Sequence, residues 1–241
     1  MAMRNLRIIM PVKDAAKTAV EALEALKPAT ADLICEVIVY DDFSTDENSL
    51  LLREACSRLG FTFVSLSELT NHPSPNYLLV LQREQEICRK EGNTGLVIVE
   101  SDVFVTPETL VCLKAEAGAR PDSGIVAAVT TDEEGRINYP YLYAKRKKGK
   151  NLDTRRHLSF CCSLLTPQLL EKVDFQNLDS SKDWFDVTIS HLSLEAGLHN
   201  WLLCTLPVVH KPHQSRPWKQ LKYKNPLLYY WRKFTHGFDK I

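Results

Sequence analysis

Short apolar runs alternate with stretches of helical spacing through the first half of this chain, and that rhythm leaves few folds open. The runs are residues 7–12, 36–40, 61–66 and 96–99. Between them, Ala16, Ala19, Val20, Leu23 and Leu26 fall on one helical face, as do Leu51, Leu52, Ala55, Cys56 and Leu59. Tyr77, Val80, Leu81, Ile87 and Cys88 form a third such face, and Leu110 and Leu113 part of a fourth. Apolar residues three and four apart mark a helix that buries one side, whereas an unbroken short run marks a strand covered on both faces. Units of about thirty residues in strand–helix order therefore predict a doubly wound, mostly parallel α/β sheet.

The boundaries carry their own chemistry. Asp14 is placed to cap the first helix and Pro28 to stop it. Ser44 with Glu47 three residues on has the form of a capping box. Gly60 and Gly197 suit left-handed helix ends, and Thr106-Pro107 suits a helix start. After Gly124 the rhythm changes. A strand is expected over 125–130 and a second over the alternating, aromatic 137–144, the latter in a smaller antiparallel element. Residues 158–165 read as extended, 183–196 as a helix with Phe185, Ile189 and Leu192 inward, and 201–209 as the last strand.

The net charge of zero hides an asymmetry that bears on partners. Residues 211–241 hold eight Lys or Arg (Lys211, Arg216, Lys219, Lys222, Lys224, Arg232, Lys233, Lys240) against one acid, Asp239. A basic tail on an acidic body suits an anionic partner. Trp218, Tyr229, Tyr230 and Trp231 among those lysines favour peripheral membrane contact, and the basic loop 145–150 could grip phosphate or be a solvated face. No nucleic-acid module is recognisable. Seven scattered cysteines without knuckle or C-x-x-C spacing fit reduced thiols in a cytoplasmic protein, and Cys161-Cys162 read as core packing. No signal-like or membrane-spanning run is apparent.

The run 96–99 ends in Glu100-Ser101-Asp102. Acids at the carboxyl end of a parallel strand stand where open α/β sheets bind ligands. At i and i+2 in extended chain, both side chains point one way. Paired carboxylates repel unless a cation lies between them, so the spacing reads either as a divalent metal site for a phosphorylated ligand or as a bare solvated turn. Asp41-Asp42 ends the second strand in the manner of a dinucleotide site. That reading needs a Gly-rich turn after the first strand, and here Pro11-Val12-Lys13-Asp14-Ala15 stands in its place. Any phosphate bound here needs a metal to neutralise it.

Three landmarks together resemble the family-2 glycosyltransferases of the GT-A fold: Pro11-Val12-Lys13-Asp14, then Asp41-Asp42-Phe43-Ser44-Thr45-Asp46, then Glu100-Ser101-Asp102. The resemblance spans residues 6–212 and implies a GT-A domain over 1–212, with 213–241 a basic aromatic extension. It implies transfer of a sugar from a nucleotide-sugar donor to a saccharide or lipid-linked acceptor hydroxyl, inverting and dependent on Mn2+ or Mg2+, in surface polysaccharide or glycolipid synthesis. The setting would be cytoplasmic, at the inner face of a membrane. Pro11, Asp14, Asp42 and Ser101 would line the nucleotide, and Asp102 would hold the metal. Glu100 stands where the family has Asp, and would meet either the metal or the sugar. His210, after the last strand, would help the metal or diphosphate, with His213 behind it. The catalytic base would be Asp186, counting back from Gly197, with Asp183 the alternative. A nucleotidyltransferase or a non-catalytic nucleotide-sugar binder of the same fold are the competing readings.

Overall fold

The computed structural model describes residues 3–147, 149–182, 184–211 and 225–236. The first half is the regular one. It runs β1 (Asn5–Val12), α1 (Ala16–Ala29), β2 (Cys35–Asp41), α2 (Asp46–Leu59), β3 (Thr62–Ser65), α3 (Tyr77–Glu91) and β4 (Thr94–Val99). These strands are all parallel, in the spatial order β3-β2-β1-β4. Every residue of β4 is buried, as a strand covered by helices on both faces must be. Helix α1 buries Ala16, Ala19, Ala22, Leu23, Leu26 and Ala29; its expected member Val20 is only half-buried. Each buried leucine contributes about 2 kcal/mol.

The second half breaks the pattern. It contains β5 (Val103–Phe104), α4 (Thr109–Gly118), β6 (Ser123–Thr131), β7 (Leu152–Asp153), β8 (Cys162–Leu165), α5 (Pro167–Lys172), α6 (Phe185–Glu195) and β9 (His199–His210). The sheet continues past β4 as β8-β6-β9-β5, with β7 also on β9. Strand β8 is antiparallel to both β4 and β6, while β6 and β9 are parallel. Antiparallel β8 therefore begins at the edge where β4 ends, with Val99 opposite Cys162. One more helix, α7 (Pro226–His236), lies in the tail; it buries Tyr229 and exposes Leu227, Tyr230 and Trp231.

A buried ionic knot fastens α3 to the sheet. Arg7 on β1 is 8% exposed and Glu84 on α3 fully buried. Arg7 Nε donates to Glu84 Oε2 at 2.6 Å, Nη1 to Glu36 Oε2 at 2.6 Å, and the Tyr40 hydroxyl to Glu84 Oε1. Burial works against the guanidinium charge, yet Glu84 and Glu36 hold it, and its pKa rises. Burial and the Glu84 charge push the Tyr40 hydroxyl up as well.

Several local expectations need correction. Asp14 does not cap α1: it has φ 49°, the N-cap is Ala15, and the Asp14 carboxylate accepts from Thr45 N–H at 2.9 Å instead. Thr45, not Ser44, caps α2, because Ser44 Oγ is taken by Asp14 N–H at 2.9 Å. Pro28 sits inside the last turn of α1, and the helix ends one residue later. Helix α4 starts at Thr109, since Thr106 instead forms a turn whose N–H meets Thr109 Oγ1. Residues 137–144 are not a strand. Ile137 makes one isolated bridge to Thr131, and a 3-10 turn over Leu142–Lys147 follows. Tyr141 and Ala144 are buried at a spacing of three, the period of that turn.

Candidate active site

The parallel strands all deliver their carboxyl ends to one edge. Strand β1 brings Pro11, β2 brings Asp41 and Asp42, and the turn after β4 brings Glu100, Ser101 and Asp102. Val12 pairs with Asp41 in register, and Asp42 N–H donates to the Val12 carbonyl at 2.9 Å. Two excursions of the second half reach the same edge. Strand β9 ends in His210, which pairs with Val103 of β5 just beyond Asp102. The residue before β8 is Cys161, whose carbonyl accepts Glu100 N–H at 2.9 Å.

The cluster that results is compact. His210 Nε2 lies 3.6 Å from Asp102 Oδ2, with both side chains nearly buried. His210 Nδ1 lies 3.1 Å from the Tyr139 carbonyl, which can only accept, so Nδ1 carries a proton. Burial lowers the His210 pKa, but Asp102, Glu100 and the Tyr139 carbonyl outweigh it and raise the net value. The Cys161 thiol donates to Glu100 Oε2 at 3.2 Å. Burial, then the Glu100 charge, pushes that thiol well up. Donor atoms of Glu100, Cys161 and His210 lie within 4.8 Å of one another, a set that can hold a metal ion. Cys161 was read from sequence as core packing alone. It is 3% exposed, but its sulfur faces the site. No local sequence signal marks it; only the antiparallel return of β8 beside β4 does.

The nucleotide-side candidates form a second group. Asp42 is 9% exposed, and its carboxylate accepts from Ser74 Oγ at 2.7 Å, Asn76 N–H at 3.0 Å and Asn76 Nδ2 at 2.8 Å. A carboxylate has about four acceptor positions, and these donors fill three of them. Asn76 thus supports Asp42. Asp14 pairs with Lys13 at 3.2 Å, and its pKa is lowered first by the Thr45 N–H. Lys13 Nζ donates in turn to the Phe43 carbonyl. These cross-bonds tie the Pro11–Asp14 turn to the Asp41–Asp46 turn. Ser101 is buried in the turn between the two acids.

Asp186 lies in the first turn of α6, where its Oδ1 accepts Val187 N–H at 2.9 Å. A carboxylate there is favoured by the helix dipole. The buried Tyr141 hydroxyl donates to the Ser159 carbonyl at 3.1 Å and is pushed well up by burial, then by Cys161, Tyr143 and Asp186. Asp183 and His213 lie outside the described residues, as does Lys148 of the basic loop. Lys145, Arg146 and Lys147 end the 3-10 turn.

No family profile and no curated protein matches the chain by sequence. Solved structures do match by fold. TarS 1-349 of S. aureus superposes with TM-score 0.63 at 16% identity, over 86% of this chain and 60% of that one. The mannosyltransferase PcManGT of Pyrobaculum calidifontis, solved with GDP-Man and Mn2+, gives 0.61 at 17%, over 98% and 65%. Glucosyl-3-phosphoglycerate synthase of Mycobacterium tuberculosis, solved with Mn2+, uridine-diphosphate and glucosyl-3-phosphoglycerate, gives 0.57 at 17%, over 90% and 75%. The fold is GT-A. The mostly parallel sheet flanked by helices that the sequence implied is therefore present, and the GT-A edge carries the Glu100–Asp102–His210 cluster. The chain spans less than two thirds of the TarS and PcManGT chains.

Proposed function

We propose that this chain is a metal-dependent, inverting glycosyltransferase of the family-2 type, moving a sugar from a nucleotide-sugar donor to an acceptor hydroxyl. The observation that carries the reading is the meeting of Glu100, Asp102 and His210 at the carboxyl edge of a GT-A sheet. The donor set fits the group the fold implies. Two carboxylates and an imidazole whose second nitrogen is tied to the Tyr139 carbonyl suit Mn2+, or Mg2+ with more water. Asp102 and His210 would hold that ion, with Glu100 beside them. When bound, it supplies positive charge that stabilises a nucleoside diphosphate leaving group.

The chain's own residues do the remaining work. Pro11, Asp14, Asp42 and Ser101 line the nucleotide, with Asp42 positioned by Asn76 and Ser74. Asp186 takes the acceptor's proton as the sugar carbon is attacked from the face opposite the leaving group, which inverts the anomeric centre. Asp183 is the alternative base. The acceptor belongs to the saccharide or lipid-linked class. Exposed Leu227, Tyr230 and Trp231 on α7 support a peripheral membrane contact and a role in surface polysaccharide or glycolipid assembly. Among the described residues no helix is long and apolar enough to cross a membrane.

The test is release of nucleoside diphosphate from a panel of nucleotide sugars, with manganese or magnesium and acceptor extracts. Turnover is expected with at least one donor, and Asp186→Ala should lower kcat by about 10²–10⁴-fold. Binding of nucleotide without turnover by any donor would leave a non-catalytic binder. Full activity in Asp186→Ala would move the base to Asp183.

A further inference from the structure

We propose that the Glu100–Cys161–His210 side of this edge takes a thiophilic divalent cation of the zinc class, with the Cys161 sulfur as a direct ligand. The inference rests on the reading of the edge as a metal-dependent site and adds a soft donor to it. Carboxylate and imidazole donors serve hard and borderline ions, whereas a thiolate selects softer ones. Because His210 is shared, a zinc-class ion would compete with Mn2+ or Mg2+ at this edge rather than sit beside it.

The distances suit a four-coordinate ion. Zinc bonds of about 2.0–2.3 Å in a tetrahedron place neighbouring ligand atoms about 3.5 Å apart. Cys161 Sγ to Glu100 Oε2 is 3.2 Å. The wider separations among Glu100, Cys161 and His210 stay within 4.8 Å, and Glu100, the least buried of the three, has the freedom to close them. The supporting groups are also in place. The Tyr139 carbonyl fixes the His210 tautomer so that Nε2 presents its lone pair to the cluster, the usual arrangement behind a ligating histidine. Ser159 Oγ stands 3.3 Å from Cys161 Sγ, where it can donate to a thiolate. Cys161 and His210 are 3% and 8% exposed, so these donors are not a solvated accident of the surface.

The experiment titrates the full chain with Co2+, the optical stand-in for Zn2+. The expected result is a thiolate-to-cobalt charge-transfer band in the near ultraviolet. It should vanish in Cys161→Ser and on adding Zn2+, but persist in Cys162→Ser, whose sulfur is fully buried in the apolar core. Zn2+ affinity should fall on the order of a hundredfold in Cys161→Ser, the upper range for losing even an outer-shell partner. Zinc-edge X-ray absorption of the wild type reads the same claim without a variant, and should find one sulfur scatterer. A metal shell with no sulfur, or a band that survives Cys161→Ser, overturns the proposal. Mn2+-dependent binding of UDP and GDP is followed on the same proteins in separate samples free of Co2+ and Zn2+. Its loss with the band intact would sink the transferase reading and leave the thiolate ligand; the reverse outcome would sink the thiolate ligand alone.

Discussion

The two halves of this sheet reach one edge by different means. Residues 5–99 repeat a single unit, so each strand end falls at the same edge by parallel topology alone. Residues 100–210 reach it through reversals: β8 runs antiparallel to β4, and the two-residue β5 pairs back onto the end of β9. The regular half presents Pro11, Asp14 and Asp42, whose partners are other turns of that half. The irregular half presents Cys161 and His210, each placed by contacts tens of residues away in sequence, and Asp186 in the first turn of α6. Repetition thus builds the platform, and the reversals bring Cys161 and His210 onto it.

That contrast can be broken by substitution. Glu84→Ala strikes the regular half, leaving Arg7 buried with only the more exposed Glu36 and Glu91 as acidic partners. Breaking a buried pair by removing one partner costs about 3–5 kcal/mol, and the surviving partners place this change near 3. Denaturant unfolding should show that loss, with kcat of the folded fraction unchanged. A fall in kcat as large as the fall in stability would mean the platform and the reactive groups are not separable.

Gly124→Ala strikes the irregular half. An added Cβ would sit 2.0 Å from Ser193 Oγ and 3.1 Å from Leu198 Cβ. Ser193 cannot yield freely, because its hydroxyl bonds Asn200 Oδ1 at 2.8 Å in a fully buried pair. Overpacking of this kind costs about 1–3 kcal/mol. It pushes on α6, the helix that carries Asp186, so kcat should drop along with stability. Crystallography or amide exchange of the variant would locate the shift; an unmoved α6 with normal kcat would break the link.

The smallest effect lies where β7 meets the start of β9. His199 Nδ1 meets Asp153 Oδ2 of β7 at 2.6 Å, and that bond, with the charge behind it, raises the imidazole pKa above its ordinary 6.5. A raised folded pKa means the pair stabilises fully below about 6.5 and is lost as pH rises through the higher folded value. The pair is exposed, so its effect on unfolding is slight. An NMR titration of the ring should show a midpoint above 6.5 that moves down in Asp153→Asn. An unmoved midpoint would assign the shift elsewhere.

The same contrast explains what could be read from the sequence. Strand and helix patterns of the regular half gave its order and the helix end at Gly60, which has φ 70°. The caps failed because Asp14 and Ser44 bond each other's turns across about thirty residues, a choice no local pattern reveals. In the irregular half, the alternation of Tyr139, Tyr141 and Tyr143 imitates a strand, but burial follows Tyr141 and Ala144 around a 3-10 turn. Glu100 and Asp102 are not i and i+2 of an extended strand, as the pattern implied, because Glu100-Ser101-Asp102 is a turn closed by Val103 N–H on the Glu100 carbonyl. Cys161 was not legible, since its role depends on a strand that returns sixty residues later.

In the proposed function, the edge at Asp102 binds a nucleoside diphosphate through a divalent cation. Titration calorimetry of UDP and GDP, with and without Mn2+, tests it on the wild type and on Asp102→Ala. Mn2+ should tighten wild-type binding of one nucleotide by at least about tenfold and do nothing for Asp102→Ala. An equal gain in both proteins, or none in the wild type, would contradict it.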